Sequence, residues 1–398
     1  MIDEALRDMD TVAAVHRIHP GDAVAECLAR TAWTVIAEPG DAAAGALIEA
    51  LGPEDALAVA LGTGPQPMGW SATGRASRVL AEGRARWRPR ARGDALRQAI
   101  RGADEVGARL LIPGDEEWPA SLDDLGPHAP IALWVRGHAD ALSREPRVSM
   151  VGARAATGYG EHVAAELAGD LASAGAVIVS GGAYGIDGAA HRAALGVHGT
   201  TVAFLAVGVD RAYPIGHQEL LQQITRDGAV VSEPPCGTAP TKWRFLARNR
   251  LIAALGQATV VVEAGWRSGS LNTAGHAASL GRPLGAVPGP VTSSSSAGCH
   301  RLLREYDAQC VTSASEVREL WAPVGVEASD TVDSASNPDR TRVLDVMGAR
   351  SRVSVEEIAR RSGMSPDRVR SLLGLLHLEG DVALDDGGWH RARSHPGQ

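Results

Sequence analysis

The sequence predicts an α/β protein: a parallel sheet with helices on both faces, flanked by an N-terminal helical domain and a C-terminal winged helix. Short runs of β-branched residues recur from residue 110 onward, at 132–135, 148–151, 177–179, 202–207, 230–231, 260–262 and 284–287. Segments with helical periodicity, such as 161–172 and 218–225, lie between most of these runs. This alternation is typical of parallel sheets, because each parallel pair needs a crossover connection. We therefore expect the functional groups in loops at the carboxyl ends of the strands.

Changes in composition divide the chain into four parts. Residues 1–105 alternate Ala- and Leu-rich stretches with Gly-Pro breaks and contain no convincing strand, which predicts a helical domain. The α/β pattern occupies 106–322, and a segment poor in large apolar residues, 323–337, reads as a linker. Residues 338–393 contain three helical segments followed by a hairpin pattern that ends near Trp389. This order predicts a winged helix-turn-helix domain.

Overall charge and composition exclude several classes of protein. The net charge is −8, which argues against a protein that coats duplex DNA through its overall field. No basic and apolar leader opens the chain, and no apolar run approaches the roughly 18–20 residues that span a bilayer. The four cysteines show no Cys-x-x-Cys spacing, so we expect them to be reduced. These features predict a cytoplasmic protein without a membrane partner.

A glycine-rich loop follows the predicted strand at 177–179 and reads Ser180-Gly181-Gly182-Ala183-Tyr184-Gly185-Ile186-Asp187. A strand that ends in glycines and opens a helix presents free backbone N–H groups and a positive helix end, which suit a phosphate. The spacing Gly-Gly-x-x-Gly differs from the Gly-x-Gly-x-x-Gly of dinucleotide-binding proteins, and this argues against a nicotinamide or flavin cofactor. Glycines that serve only a tight turn are the alternative interpretation.

Three further segments are predicted to lie beside this loop. Gly152 to Gly160 follows a strand and places Arg154 where its guanidinium can bind phosphate oxygens. Residues 241–252 contain four basic side chains, two aromatic rings and no acid, which suits an unpaired nucleic-acid strand. Residues 263–274 place Gly269 and Ser270 at a helix start. Each segment alone is also compatible with a structural role, as a surface turn, a solvated helix face or a helix cap.

Catalytic and metal-binding motifs find little support. Asp187 and His191 stand four residues apart near a helix start, but no third ligand has a natural spacing. The chain has neither a Gly-x-Ser-x-Gly elbow nor a Gly-x-x-x-x-Gly-Lys-Ser/Thr loop. We therefore predict no metal, no cofactor, no ATP hydrolysis and no enzymatic activity.

Taken together, the motifs resemble the DprA/Smf family of DNA-processing proteins. They run in family order over about 170 residues, and together they are highly specific: Gly152-x-Arg154 to Tyr159-Gly160, Ser180 to Asp187 with Ala190-His191, Tyr213-Pro214, Phe245-x-x-Arg248-Asn249-Arg250, Gly269-Ser270-Leu271-x-Thr273-Ala274, and Pro288-Gly289-Pro290 before Gly298-Cys299. The chain departs from the usual pattern at Asn272, at His300 and at Tyr306-Asp307.

This resemblance implies a Rossmann-like domain that binds single-stranded DNA, protects incoming strands during natural transformation and helps to load RecA. It also implies a homodimer, for which Leu302, Leu303 and Val311 are candidate contacts. The predicted nucleic-acid-binding residues combine the motifs above: Gly152, Arg154, Thr157, Tyr159, Gly160, Ser180, Gly181, Gly182, Gly185, Lys242, Arg248, Asn249, Arg250, Gly269 and Ser270.

The sequence disfavours two other functions. A nucleotide-processing enzyme of the phosphoribohydrolase or lysine-decarboxylase-like type has a Pro-Gly-Gly-x-Gly-Thr signature with a glutamate shortly after it. Residues 265–273 have neither the paired glycines nor that carboxylate. A transcriptional regulator that acts through the winged helix is disfavoured by the near-neutral charge of residues 338–393. Arg368 and Arg370 are the cations of its proposed recognition helix, so we expect this domain to be dispensable for strand binding.

Overall fold

A computed structural model describes residues 2–64, 74–321, 338–347, 352–378, 380–385 and 388–392. The chain divides into two compact units, residues 1–322 and 323–398. No helix in the described ranges is both long enough and apolar enough to cross a membrane.

The first unit begins with a helical segment. Its helices are α1 (Ile2–Leu6), α2 (Met9–Ile18), α3 (Val24–Ile36), α4 (Ala42–Leu51), α5 (Pro53–Leu61), α6 (Arg75–Trp87) and α7 (Gly93–Glu105), with a 3-10 helix at Arg88–Arg90. Trp33 and Trp87 are buried and meet edge to face, with ring centroids 5.1 Å apart. The apolar core around them continues into the sheet through Leu110 and Trp134. Because the helical segment and the sheet share this core, the separate N-terminal domain stays a prediction.

Nine strands of the described residues form one sheet. They are β1 (Arg109–Leu111), β2 (Leu133–Gly137), β3 (Arg147–Val151), β4 (Val177–Ser180), β5 (Thr201–Leu205), β6 (Ala229–Ser232), β7 (Ala258–Val261), β8 (Leu284–Ala286) and β9 (Gln309–Cys310). Their order is β1-β2-β6-β5-β4-β3-β7-β8-β9. Strands β3 to β9 pair in parallel, whereas β2 runs antiparallel to both β1 and β6.

Helices cover both faces of this sheet, as predicted. They are α8 (Gly158–Ser173), α9 (Ile186–Gly196), α10 (Gln218–Asp227), α11 (Lys242–Leu255), α12 (Ser270–Ser279), α13 (Ala297–Glu305) and α14 (Ala314–Glu319). Alternate strand residues face opposite layers: Ile178 packs with α8 and α9, while Val177 and Val179 pack with α11 and α12. The α/β class is confirmed.

Sequence analysis did not predict β1, β9 or the antiparallel edge. β1 and β9 have only three and two residues, which is too short for a clear pattern. The chain between β1 and β2 contains the 3-10 helix Ala120–His128. This described connection contains no α-helix of the kind that usually joins parallel strands, and β2 runs antiparallel to β1.

The second unit is a small winged helix. Its elements are α15 (Pro338–Val346), α16 (Val355–Ser362), α17 (Pro366–Leu378), β10 (Val382–Asp385) and β11 (Gly388–Arg391). Ile358, Val369 and Leu373 form the centre of its core. Gly363 ends α16 with a φ of 74°, a left-handed conformation that glycine adopts at little cost. The predicted three helices and hairpin are confirmed.

Candidate nucleic-acid interface

A cleft of about 600 Å³ lies at the carboxyl ends of β3, β4 and β7. The chain reverses its order across the sheet at β3, which pairs with β4 on one side and with β7 on the other. Ligands of open α/β sheets bind in the crevice that such a reversal creates. Six of the predicted residues line the cleft: Gly152, Arg154, Arg248, Asn249, Gly269 and Ser270.

The glycine-rich loop that follows β4 holds a carboxylate of the chain itself. The Asp187 carboxylate accepts hydrogen bonds from the backbone N–H groups of Gly181, at 3.1 Å, and Ala183, at 3.3 Å. Asp187 lies in the first turn of α9, where the helix dipole favours an anion. These amides were predicted to be free for a phosphate. The prediction was wrong at this point, because Asp187 already occupies the anion site.

A second carboxylate occupies the start of α8. Glu263 is buried and accepts hydrogen bonds from the backbone N–H of Thr157, at 2.8 Å, and from its hydroxyl, at 2.9 Å. A Cβ atom at Gly160 would lie 2.4 Å from the Glu263 carboxylate, so only glycine fits there. Thr157 and Gly160 therefore position the loop after β3 and do not line the cleft.

Other predicted residues also shape the loops from outside the cleft. The hydroxyl groups of Ser180 and Tyr159 donate to the carbonyl oxygens of Met150 and Pro288, both at 2.6 Å. Gly182 and Gly185 have φ values of 65° and 73°, where a side chain is strained. These four residues are placed by the structure as supports of the loops that carry the cleft.

Arg248 lies at the floor of the cleft and is buried. Its Nη1 donates to the carbonyl oxygens of Gly181, at 2.6 Å, and Phe204, at 2.5 Å. Burial lowers the pKa of Arg248 to about 10, although the nearby Asp187 carboxylate favours the charged form. The guanidinium therefore stays charged at neutral pH and makes the floor positive.

Asn249, the next residue of α11, explains one departure from the family pattern. Its Nδ2 donates to the side-chain oxygen of Asn272 at 3.1 Å. An apolar residue at 272 would leave this amide without that acceptor. The pair joins α11 to α12 at the side of the cleft.

Rings and cations form the mouth of the cleft. The Arg154 side chain is exposed, and its guanidinium lies 5.0 Å from the centre of the Phe245 ring. Trp266, which is 57% exposed, carries the guanidinium of Arg301 at 5.2 Å from its ring. Trp266 and Arg267 were not among the predicted site residues, yet both line the cleft. The aromatic residue in a glycine-rich loop after β7 was the available signal.

Lys242 and Arg250 do not line the cleft. Lys242 is exposed at the first turn of α11, beside Trp243, which is 76% exposed. Arg250 is buried and pairs with Glu233, with 2.8 Å between Nη2 and the carboxylate. Its Nε donates to the carbonyl oxygen of His128. The structure therefore gives Arg250 a contact inside the protein in place of the predicted phosphate contact.

The Arg250–Glu233 pair joins α11 to the helical segment. The Glu233 carboxylate also accepts the backbone N–H of Gly40 at 3.1 Å. Burial raises the pKa of Glu233, and the charge and hydrogen bond of Arg250 oppose this shift. The two side chains thus form a buried ion pair, in which Arg250 favours the charged form of the Glu233 carboxylate.

Three residues considered for a metal site or a dimer contact are buried outside the cleft: His191, Leu302 and Val311. His191 is buried, its Nδ1 lies 2.7 Å from the Thr201 hydroxyl, and burial lowers its pKa to about 3. Among the described residues, no three His, Cys, Asp or Glu side chains are placed to hold a metal ion. Leu302 and Val311 are buried in the core, so neither can form the dimer contact suggested above.

In the winged unit, acidic neighbours surround the two cations of the recognition helix. Arg368 pairs with Asp339 at 3.0 Å, and Arg370 pairs with Asp367 at 2.5 Å and with Glu356 at 3.8 Å. These three acids outnumber the two arginines, so this face of the winged unit generates little attraction for phosphates. We expect a chain that ends at residue 322 to bind a labelled strand within threefold of the affinity of the full chain. A loss of more than tenfold in the folded truncation would make the winged helix a principal DNA site.

Comparison with known proteins gives consistent matches to both units. The model of the family described as DNA recombination-mediator protein A matches residues 109–322, and that of the DprA winged helix domain matches 327–388. A protein of Mycobacterium tuberculosis H37Rv, whose name places it among the DNA processing proteins DprA, is 46% identical over 327 residues. That match covers 76% of this chain and 84% of the relative.

Two further matches come from other bacteria. Protein Smf of Escherichia coli K12 is 36% identical over 297 residues, covering 71% of this chain and 77% of the relative. The X-ray structure of DNA processing protein A from Streptococcus pneumoniae superposes with a TM-score of 0.58 at 30% identity. It covers 74% of this chain and 96% of that chain.

Proposed function

Because the chain belongs to the family of DNA recombination-mediator protein A, also named DprA/Smf, we propose that it is a single-stranded DNA-binding protein whose strand lies in the cleft above β3. The family assignment confirms the resemblance seen in the motifs. One observation carries the proposal: rings and cations stand together at the mouth of the cleft, where the exposed Arg154 lies over the half-buried Phe245 ring and the half-buried Arg301 lies over the exposed Trp266 ring. Rings stack on unpaired bases and cations bind the phosphates between them.

The arrangement supports binding without catalysis. Asp187, which lines the cleft, and Glu263, which lies beside it, accept hydrogen bonds from the backbone of the loops. A general base or nucleophile must reach the reacting atom, and both acids are engaged and buried. We therefore propose that the protein is not an enzyme of the phosphoribohydrolase type.

Family membership alone supports a finer proposal. On that ground we propose that the protein protects incoming strands during DNA uptake and transformation, and that it helps to load RecA for recombination. We also propose that it acts as a homodimer in the cytoplasm. The buried positions of Leu302 and Val311 direct the search for a dimer contact to other surfaces.

Titration of labelled DNA at two salt concentrations tests the central proposal. We expect single strands to bind at least tenfold more tightly than blunt duplex, because bases in a duplex have no free faces for the rings. Random and homopolymeric strands should bind within a modest range of one another, since stacking and phosphate contacts do not read base edges. Equal or tighter binding of the duplex would contradict the proposal.

A further inference from the structure

A dense basic segment lies outside the cleft, in the helical part of the first unit. Residues 75–101 contain nine arginines against one aspartate and one glutamate, in a chain with a net charge of −8. Five of them occupy alternate positions from the end of α6, through the following 3-10 helix, to the residue before α7: Arg84, Arg86, Arg88, Arg90 and Arg92. We call residues 84–92 the arginine segment. Local clustering of this kind attracts polyanions even when the whole protein is acidic.

A buried tryptophan anchors the arginine segment, and most of the arginines in the segment are exposed. Trp87 is buried in the middle of the segment, and its Nε1 donates to the Asp41 carboxylate at 3.0 Å. The four arginines at 86, 88, 90 and 92 are exposed. The buried ring therefore anchors the backbone of the segment, from which these arginines extend into solvent.

Acids of the chain pair with three of these cations. Arg86 pairs with Asp41 at 3.1 Å, Arg90 pairs with Glu38 at 2.8 Å, and Arg92 pairs with Asp94. Arg88 has no acidic partner within the part of the chain that the structure describes. Glu38 and Asp94 are exposed, and exposed ion pairs typically contribute only about 0–1 kcal/mol, so a phosphate can displace these two acids.

One acid contacts both the arginine segment and α11, the helix that contributes Phe245 to the cleft. The Glu38 carboxylate that accepts Arg90 also accepts Nε and Nη2 of Arg244, both at 3.0 Å. Arg244 precedes Phe245 on α11, and Phe245 lines the cleft. The shared carboxylate therefore places Arg90 of the segment beside the first turn of α11.

We propose that the arginine segment is a second DNA-contacting surface, which binds the phosphate backbone of a single strand after it leaves the cleft. This proposal rests on the proposed function, because the cleft supplies the bound part of the strand. A strand bound in the cleft delivers its next phosphates to the segment at high local concentration. Long strands therefore gain affinity from the segment, and strands that only fill the cleft gain none.

Two strand lengths separate this proposal from the function of the cleft. The test protein is the full chain with the substitutions R88Q, R90Q and R92Q, and the probes are thymidine strands of about 6 and about 20 nucleotides. We expect the long strand to bind at least tenfold more weakly, with a salt slope reduced by about 2, as three lost contacts at 0.7 each imply. We expect the short strand to bind as it does to the unaltered chain.

A matched control removes three exposed arginines from the opposite edge of the sheet. Arg109, Arg144 and Arg226 lie near the amino ends of the parallel strands, and R109Q, R144Q and R226Q change the net charge equally. Both triple variants are compared by circular dichroism to show that they fold. Long-strand affinity equal to that of the control would overturn the proposal, as would an equal loss for both strand lengths. If the unaltered chain does not bind the short strand, the proposed function of the cleft fails instead.

Discussion

Replacing Arg250 by methionine is expected to lower the free energy of unfolding by about 3–5 kcal/mol at neutral pH, the usual effect of breaking a buried ion pair. Arg250 and Glu233 are only 6% and 7% exposed at their side chains, so the remaining carboxylate gains little from water. The substitution also removes the hydrogen bond from Nε to His128. Urea unfolding followed by tryptophan fluorescence measures the loss, because Trp33 and Trp87 report on the helical segment that the pair holds.

The loss of unfolding free energy in R250M should become smaller as pH falls. Burial already raises the pKa of Glu233, and R250M removes the charge and hydrogen bond that oppose this shift. A carboxyl group whose pKa is higher in the folded state destabilises the fold above that pKa and ceases to do so once it is protonated. The difference between R250M and the unaltered chain should therefore shrink as pH falls from 7 toward about 5.

Two controls distinguish a broken pair from a general packing defect. The double variant R250M/E233L should recover part of the loss, because it leaves no uncompensated charge in the core. R226M replaces an exposed arginine and should change the unfolding free energy by less than about 0.5 kcal/mol. A loss in R250M that is small, or that does not change with pH, would contradict the assignment.

Replacing Arg154 by alanine is expected to weaken binding of single-stranded DNA by about tenfold and to lower the salt slope by about 0.7, the value for one phosphate contact. The exposed guanidinium lies over the Phe245 ring, so its removal takes away both a phosphate contact and the cation above the ring. Fluorescence anisotropy with a labelled strand at several salt concentrations measures both quantities.

The matched control is R211A. Arg211 also lies in a loop at the carboxyl edge of the sheet, but it lines a different cleft with Tyr213 and Gln218. R211A should therefore bind the strand as the unaltered chain does. An intermediate affinity for R154K is also expected, because lysine keeps the charge and loses the planar fork. Normal affinity and slope in R154A would mean that the strand lies elsewhere.

Much of the fold could be predicted from the sequence because its signals are local. β-branched runs marked seven of the strands, and the Gly, Ser or Glu that ends most of these runs marked the loops at the carboxyl ends of the strands. The partners within those loops could not be predicted in the same way. Glu263 reaches Thr157 across 106 residues of chain, and no periodicity in either segment indicates the contact. The free amides expected at the helix starts were therefore an error that only tertiary structure reveals.

The error over Arg250 has a different cause. Residues two apart on a helix point about 200° away from each other, so Arg248 and Arg250 do not face one cleft together. Helical periodicity predicts this difference in direction. Treating the basic residues of 241–252 as one set, and not by helix face, conceals it. Arg248 faces the floor of the cleft, and Arg250 faces the helical segment.

The carboxylates of Asp187 and Glu263 have a consequence for competition inside a cell. Free nucleotides are abundant there, and proteins with an open helix start bind them through a single phosphate. Here each of these two helix starts already holds an acid of the chain, which occupies backbone amides that a free phosphate would otherwise bind. A strand gains its affinity from many rings and cations in succession, whereas a mononucleotide reaches only one or two of them. We therefore expect millimolar nucleotide to leave strand binding almost unchanged, so that the protein responds to the polymer and ignores its monomers.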